Sequence, residues 1–134
     1  MASHAFEPHT GEVQLRLDAG NPAELFAEAT RALAELLGTP ADQAAGEWQR
    51  VAVTGRDFEA LLVAWVNELV ARTEIDHLLY RDVAINELTP TSLDACIRGM
   101  PFAETRTAVK AATMHGLHVT SDPRGTHATL ILDV

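Results

Sequence analysis

The sequence predicts an α+β fold, with two amphipathic helices packed on a largely antiparallel sheet. Three observations carry this: two segments have apolar residues at helical spacing, two lone strand-like segments flank those helices, and four strand-like segments then follow without a helix between them. At 134 residues the chain fits one domain, residues 1–134, large enough to bury about two thirds of the surface its unfolded form exposes. No internal repeat or linker divides it.

The first helix is predicted over NPAELFAEATRALAELLG. Asn21 caps it, Pro22 suits the first helical position, Glu24 completes a capping-box-like pattern, and Gly38 offers a left-handed stop. Leu25, Phe26, Ala29, Leu33, Leu36 and Leu37 share one face, leaving Glu28, Arg31 and Glu35 to water. The second helix starts near Asp57 and runs through Thr73. Its wider apolar face, Phe58, Leu61, Leu62, Trp65, Leu69 and Val70, predicts burial on more than one side. Asn67 and Glu68 read as helix surface.

The strands follow from alternation. EVQLRLD turns Val13, Leu15 and Leu17 inward, and WQRVAVTG does the same with Trp48, Val51 and Val53. HLLYRDVAINEL and TSLDACIRG form a hairpin across Thr89 and Pro90; VKAATMHGLHVTSD and THATLILDV form another, turning between Asp122 and Gly125. Residues 39–47 are an Ala-rich loop. His9 and Thr10 read as turn residues before the first strand, with Pro8 fixing the approach.

Charge narrows the function. Against 19 acidic residues stand 10 basic ones, a net charge of -9, and no two basic residues are adjacent. Phosphate neutralisation dominates nucleic-acid binding, so direct binding of DNA or RNA is not expected. A basic protein surface is a better electrostatic complement. The single Cys96, placed in a strand-like run, reads as an inert core thiol in a cytoplasmic protein. The N-terminal segment has no basic stretch leading into an apolar one, and no run approaches the roughly 18 apolar residues of a membrane span. Neither secretion nor membrane insertion is expected.

Two residues suggest a small polar site near the end of the chain. Lys110 is the only lysine beside nine arginines, which suggests that a compact ammonium is needed there. Asp133 is the single charge of the closing strand. The plain readings, a surface lysine and a carboxylate where a strand meets water, remain open on residue type alone. His115 and His118, three apart on a segment read as extended, point to opposite faces and cannot chelate zinc together. His4, His77 and His127 stand alone and receive no role.

The succession HTGE, AELFAEATRAL, EALLVAWVNEL, VKAATMHGL and LILDV resembles the archease family from end to end, in order and spacing. Members of that family are small cytosolic proteins that act on the RNA ligase sealing tRNA halves after intron removal. They promote nucleotide transfer to the ligase and its repeated turnover, and they are cofactor proteins and not ligases. The resemblance implies a metal-binding acidic residue at Glu12, where the family has aspartate in a His-Thr-Ala-Asp motif matched by His9, Thr10, Gly11 and Glu12. It implies a second ligand at Asp133 and an activating role for Lys110. Many members carry Gly-Glu where this chain has Gly99 and Met100, so one further acidic group is missing.

With those roles, two carboxylates and the terminal Val134 offer oxygen ligands to a hard divalent cation, Ca²⁺ first, with Mg²⁺ or Mn²⁺ as alternatives. Glu12 read without the resemblance is an ordinary solvated charge. His9 and Thr10 are candidates to orient a carboxylate from behind. The expected function is activation of a tRNA-splicing RNA ligase. The alternative is a stand-alone metal-dependent hydrolase or small-ligand binder, which lacks a sequence signature for nucleophile or base. A general chaperone would need a sizeable exposed apolar patch.

Overall fold

The structure, a computed structural model, describes residues 2–134. Its strands are β1 (Ser3–His9), β2 (Glu12–Ala19), β3 (Gly38–Pro40), β4 (Gln49–Thr54), β5 (Leu78–Thr89), β6 (Ser92–Thr105), β7 (Ala111–Thr113), β8 (Val119–Asp122) and β9 (Gly125–Asp133). Its helices are α1 (Pro22–Leu37) and α2 (Phe58–Asp76). The strands form two sheets: one runs β1-β2-β9-β7 with β8 also on β9, the other β3-β6-β4 with β5 also on β6. Every pairing is antiparallel.

Alternation sets which face meets the core. In the first sheet Leu15 and Leu17 of β2 and Ala128, Leu130 and Leu132 of β9 are buried; in the second Val51, Leu79, Leu93, Ala95 and Ile97 are. These residues join the apolar faces of both helices in one core. Both helices start as their sequences direct. Asn21 Oδ1 accepts from the Glu24 N–H at 2.9 Å and Asp57 Oδ1 from the Ala60 N–H at 2.8 Å. Glu24 returns a bond by accepting from the Gly20 N–H at 3.0 Å.

Several expectations are corrected. The N-terminal segment is a strand, β1, on the edge of the first sheet, where Pro8 costs no ladder bond that the core needs. Trp48 is exposed, out of phase with Val51 and Val53 under a two-residue period, and its ring instead carries the Arg98 guanidinium 4.6 Å from its centroid. Cys96 is half-exposed for the same reason: Leu93, Ala95 and Ile97 take the inner face. Gly38 does not stop α1 in a left-handed conformation. It is extended, and opens β3 where a Cβ would lie 2.4 Å from the Glu104 carbonyl oxygen. The segment 109–122 is two strands, β7 and β8, parted by a turn in which Gly116 has φ +66°. The β5–β6 turn falls on Pro90 and Thr91, one residue later than expected.

Glu28 is buried, not solvated, because it shares the helix face of Leu25 and Ala32. Its partner is His4, whose Nδ1 lies 2.6 Å from Glu28 Oε2 and whose Nε2 lies 2.5 Å from Glu35 Oε2. Arg31 donates to the other Glu28 oxygen at 2.9 Å. An imidazole can satisfy two carboxylates only as the imidazolium, with both nitrogens donating. Burial, the largest influence on His4, pulls its pKa down, but the bonds to Glu28 and Glu35 outweigh it and the net shift is upward. For Glu28 burial pushes up, the bonds from His4 and Arg31 outweigh it, and the net shift is downward. His127 repeats the arrangement near the surface, bridging Asp18 Oδ1 at 2.7 Å and Asp122 Oδ1 at 3.2 Å.

The clamp on β1 therefore has a pH signature. A histidine whose folded pKa is raised stabilises fully below its ordinary value of 6.5 and loses that contribution as pH rises through the folded value. Glu28, with its lowered pKa, contributes above its ordinary 4.5 and loses that as pH falls. Stability to urea is expected to decline as pH is raised above 6.5, and His4→Gln should make that decline shallower, leaving the part that follows His127, whose pKa Asp18 and Asp122 also raise. An unchanged slope in His4→Gln would show that His4 is not the titrating group.

Candidate functional site

The β1–β2 hairpin turns through Thr10 and Gly11, and Gly11, with φ +74°, sits where most side chains are strained. That turn delivers Glu12 to the start of β2, directly opposite Asp133 at the end of β9. The Val134 N–H donates to the Gly11 carbonyl at 3.1 Å, so Glu12 and Asp133 form a pair flanked by, and not sharing, ladder hydrogen bonds. Such pairs bring Cα atoms to about 4.5 Å, the closest approach an antiparallel ladder makes. Both carboxylates are partly exposed and lie on the sheet face away from Val13 and Leu132, which are buried. His9 is the neighbour of Glu12 on its other side.

Lys110 comes to the same corner from the opposite strand. It precedes β7, whose Ala111 faces Asp133, and the Lys110 main-chain N–H donates to the Asp133 carbonyl at 2.8 Å. Buried Val109 and Ala112 anchor the segment on either side, leaving Lys110 exposed. Among the described residues no side-chain hydrogen bond or ion pair engages Glu12, Asp133 or Lys110. Lys110 also borders a groove of about 720 Å³ walled by Val70 and Thr73 of α2 and by Phe102 and Thr105 of β6.

The residue that sequence reasoning missed is Asn67. Its Oδ1 accepts from the Ala112 N–H at 2.7 Å and its Nδ2 donates to the Ala112 carbonyl at 3.3 Å, so the α2 side chain acts as a neighbouring strand for β7. The signal was a polar residue amid the apolar positions of LLVAWVNEL. Asn67→Ala leaves two polar groups of a residue only 5% exposed without partners, and should cost about 1–3 kcal/mol. Hydrogen exchange at Ala111 to Thr113 should quicken more than elsewhere in the first sheet; uniform change would mean that Asn67 does not hold β7.

Of the sequence-derived site residues, Glu12, Asp133, Val134, His9 and Thr10 fall at this corner; Lys110 joins it through its main chain, while its side chain borders the groove beside α2. His115 and His118 are exposed in the β7–β8 connection and not on an extended strand. Among the described residues no three His, Cys, Asp or Glu side chains gather as a metal-holding group. A cation held by Glu12 and Asp133 would complete its shell with carbonyl or water oxygens. The donor set fits a hard cation on one specific ground: like charges directly opposed across a ladder are destabilising, and a cation between them removes that cost.

Fold and corner together define a class: a small α+β protein of two antiparallel sheets and two helices, carrying an acidic pair and a lysine at one sheet end. The chain belongs to the archease family; the model of the Archease protein family (MTH1598/TM1083) matches residues 4–134. Protein archease of Methanopyrus kandleri is 31% identical over 134 residues, covering 94% of this chain and 95% of the relative. Protein archease of Sulfurisphaera tokodaii is 25% identical, with both chains fully covered. The solution structure of Methanobacterium thermoautotrophicum protein 1598 superposes with a TM-score of 0.80 at 26% identity, covering 98% of each chain. The crystal structure of a Thermotoga maritima archease, described as a possible chaperone, shares the fold at a TM-score of 0.70 and 21% identity, covering 98% of this chain and 99% of that one. No helix among the described residues is long and apolar enough to cross a membrane.

Proposed function

We propose that this chain is a protein cofactor of an RNA ligase in tRNA splicing or RNA repair, promoting ligase guanylylation and repeated turnover. The observation that carries the reading is that Glu12 pairs with Asp133 at one partly exposed sheet end and that the main chain of Lys110 is bonded to Asp133 there. In this reading Glu12 and Asp133, with the Val134 backbone, hold a divalent cation, calcium first. That cation supplies positive charge for phosphate or carboxylate oxygens of the partner. Lys110 adds a mobile point charge beside it, suited to a phosphate or an acidic ligase side chain. The net charge of -9 draws the body toward a basic surface, so association should slow as salt rises. The description of the Thermotoga protein as a possible chaperone is compatible with assisting another protein. Exposed Trp48, Ile75 and Met114 belong to separate segments and do not suggest a general apolar capture surface.

The test is to mix the purified chain with an RNA ligase and a guanylate donor and follow label on the ligase. Faster guanylylation supports the proposal. No effect on any ligase, together with hydrolysis of a simple phosphoester by the chain alone, would replace it with a metal-dependent hydrolase.

The cation has its own prediction. A ligand that binds only the native state stabilises it by about 2.7 kcal/mol at a hundredfold excess over its Kd. Calcium should therefore raise the melting temperature, and Asp133→Ala should abolish the rise. Glu12→Asp should keep or strengthen it. An undiminished calcium response in Asp133→Ala would remove that carboxylate from the site.

A further inference from the structure

A second polar centre lies away from the corner, between α1 and the second sheet. With 19 acidic residues in the chain, an arginine without a carboxylate is the exception. Arg16, Arg31, Arg50, Arg56, Arg72 and Arg98 each have one. Among the described residues Arg81, Arg106 and Arg124 make no such pair, and Arg81 and Arg106 line the same cavity, of about 360 Å³. The third arginine of that cavity, Arg31, is held by Glu28.

Local irregularities of both adjoining strand pairs gather here. The β5–β6 register shifts between Tyr80 and Asp82, which leaves Arg81 as an extra residue, and the β3–β6 register shifts between Thr39 and Pro40. Bulges of this kind re-aim a side chain at the expense of regular pairing. Thr39 lines the cavity, and its Oγ1 is buried without a hydrogen-bond partner. A buried hydroxyl left unpaired calls for an explanation.

We propose that this cavity binds a small organic phosphate monoester, its phosphate held by Arg81 and Arg106 and hydrogen-bonded by Thr39, its carbon portion against Ala34, Pro40 and Leu79. Charge and shape favour a phosphate over a carboxylate. A phosphate carries about -1.5 to -2 near neutral pH, matching two uncompensated guanidiniums. Its oxygens point out of one plane, toward donors that arrive from separate segments, β3, β5 and the chain after β6; a planar carboxylate is satisfied by a single arginine fork. Glu28 and Glu35, which also line the cavity, do not oppose it strongly, because His4 and Arg31 already engage Glu28 and His4 engages Glu35. The volume is at the small end of the roughly 300–1,000 Å³ seen for ligand sites, so a compact monoester fits and a large one does not.

Isothermal titration with glycerol 3-phosphate tests this. The parent chain should bind one equivalent saturably, and more tightly than it binds acetate. Arg81→Ala and Arg106→Ala should each weaken binding at least tenfold. Arg124→Ala, which removes the third uncompensated arginine at the distant β8–β9 turn, should leave it unchanged. All three arginines are exposed, so the variants should fold, as matching melting temperatures will show. The proposal is overturned if the parent shows no saturable binding, if acetate binds as tightly, or if Arg124→Ala weakens binding as much as the other two.

Discussion

Trp65→Ala should remove about 3–5 kcal/mol of stability, the largest loss expected from any single truncation in this fold. Trp65 is fully buried in α2, and its Nε1–H donates to Thr30 Oγ1 of α1 at 2.9 Å. The Thr30 hydroxyl in turn donates to the Phe26 carbonyl at 2.8 Å, so one hydrogen-bonded chain ties the two helices inside the core. Alanine would open a cavity beside Leu61, Leu62 and Leu69 and leave the completely buried Thr30 oxygen without its donor. Trp65→Phe keeps much of the volume and should cost less, about 1–3 kcal/mol from the lost donor. Urea unfolding checks both values. Native stabilities are commonly 5–15 kcal/mol, so the alanine variant should approach the unfolding threshold. A loss below 1 kcal/mol would show that the helices are not joined through this residue.

Lys110→Ala should have the opposite profile: activation of the ligase falls at least tenfold while stability changes by less than about 0.5 kcal/mol. The segment is held by main-chain and apolar contacts, the Lys110 N–H on the Asp133 carbonyl and the burial of Val109 and Ala112, none of which needs the ammonium. Removing the side chain therefore removes a charge and little else. Lys110→Arg should rescue only partly, since a broad planar fork replaces a compact, flexible point charge.

Much of this architecture was legible in the sequence, and the failures share a physical cause. α1 was readable because Asn21, Pro22 and Glu24 mark its start and a steady apolar period fills its body. The strands β2 and β9 were readable because one face alternates cleanly into the core. β1 was not: as an edge strand carrying His4, Glu7 and Pro8, it buries too little for alternation to show. Trp48 and Cys96 were misplaced by residue type, when the two-residue period already set them on the outer face. Glu28 and His4 explain each other only after folding brings residues 24 positions apart together. Lys110 and Asp133 were suggested by residue type and position, and Glu12 by motif resemblance. What the motifs could not supply is the pairing register that sets Glu12 against Asp133, or the hold of Asn67 on β7.

The most direct measurement is the initial rate of ligase guanylylation with the parent chain and with Lys110→Ala, compared at equal occupancy of the ligase and saturating calcium. The account predicts strong stimulation by the parent and at least a tenfold smaller stimulation by a variant that binds and folds equally well. Equal stimulation by the two would contradict it, and would leave Lys110 without an activating role.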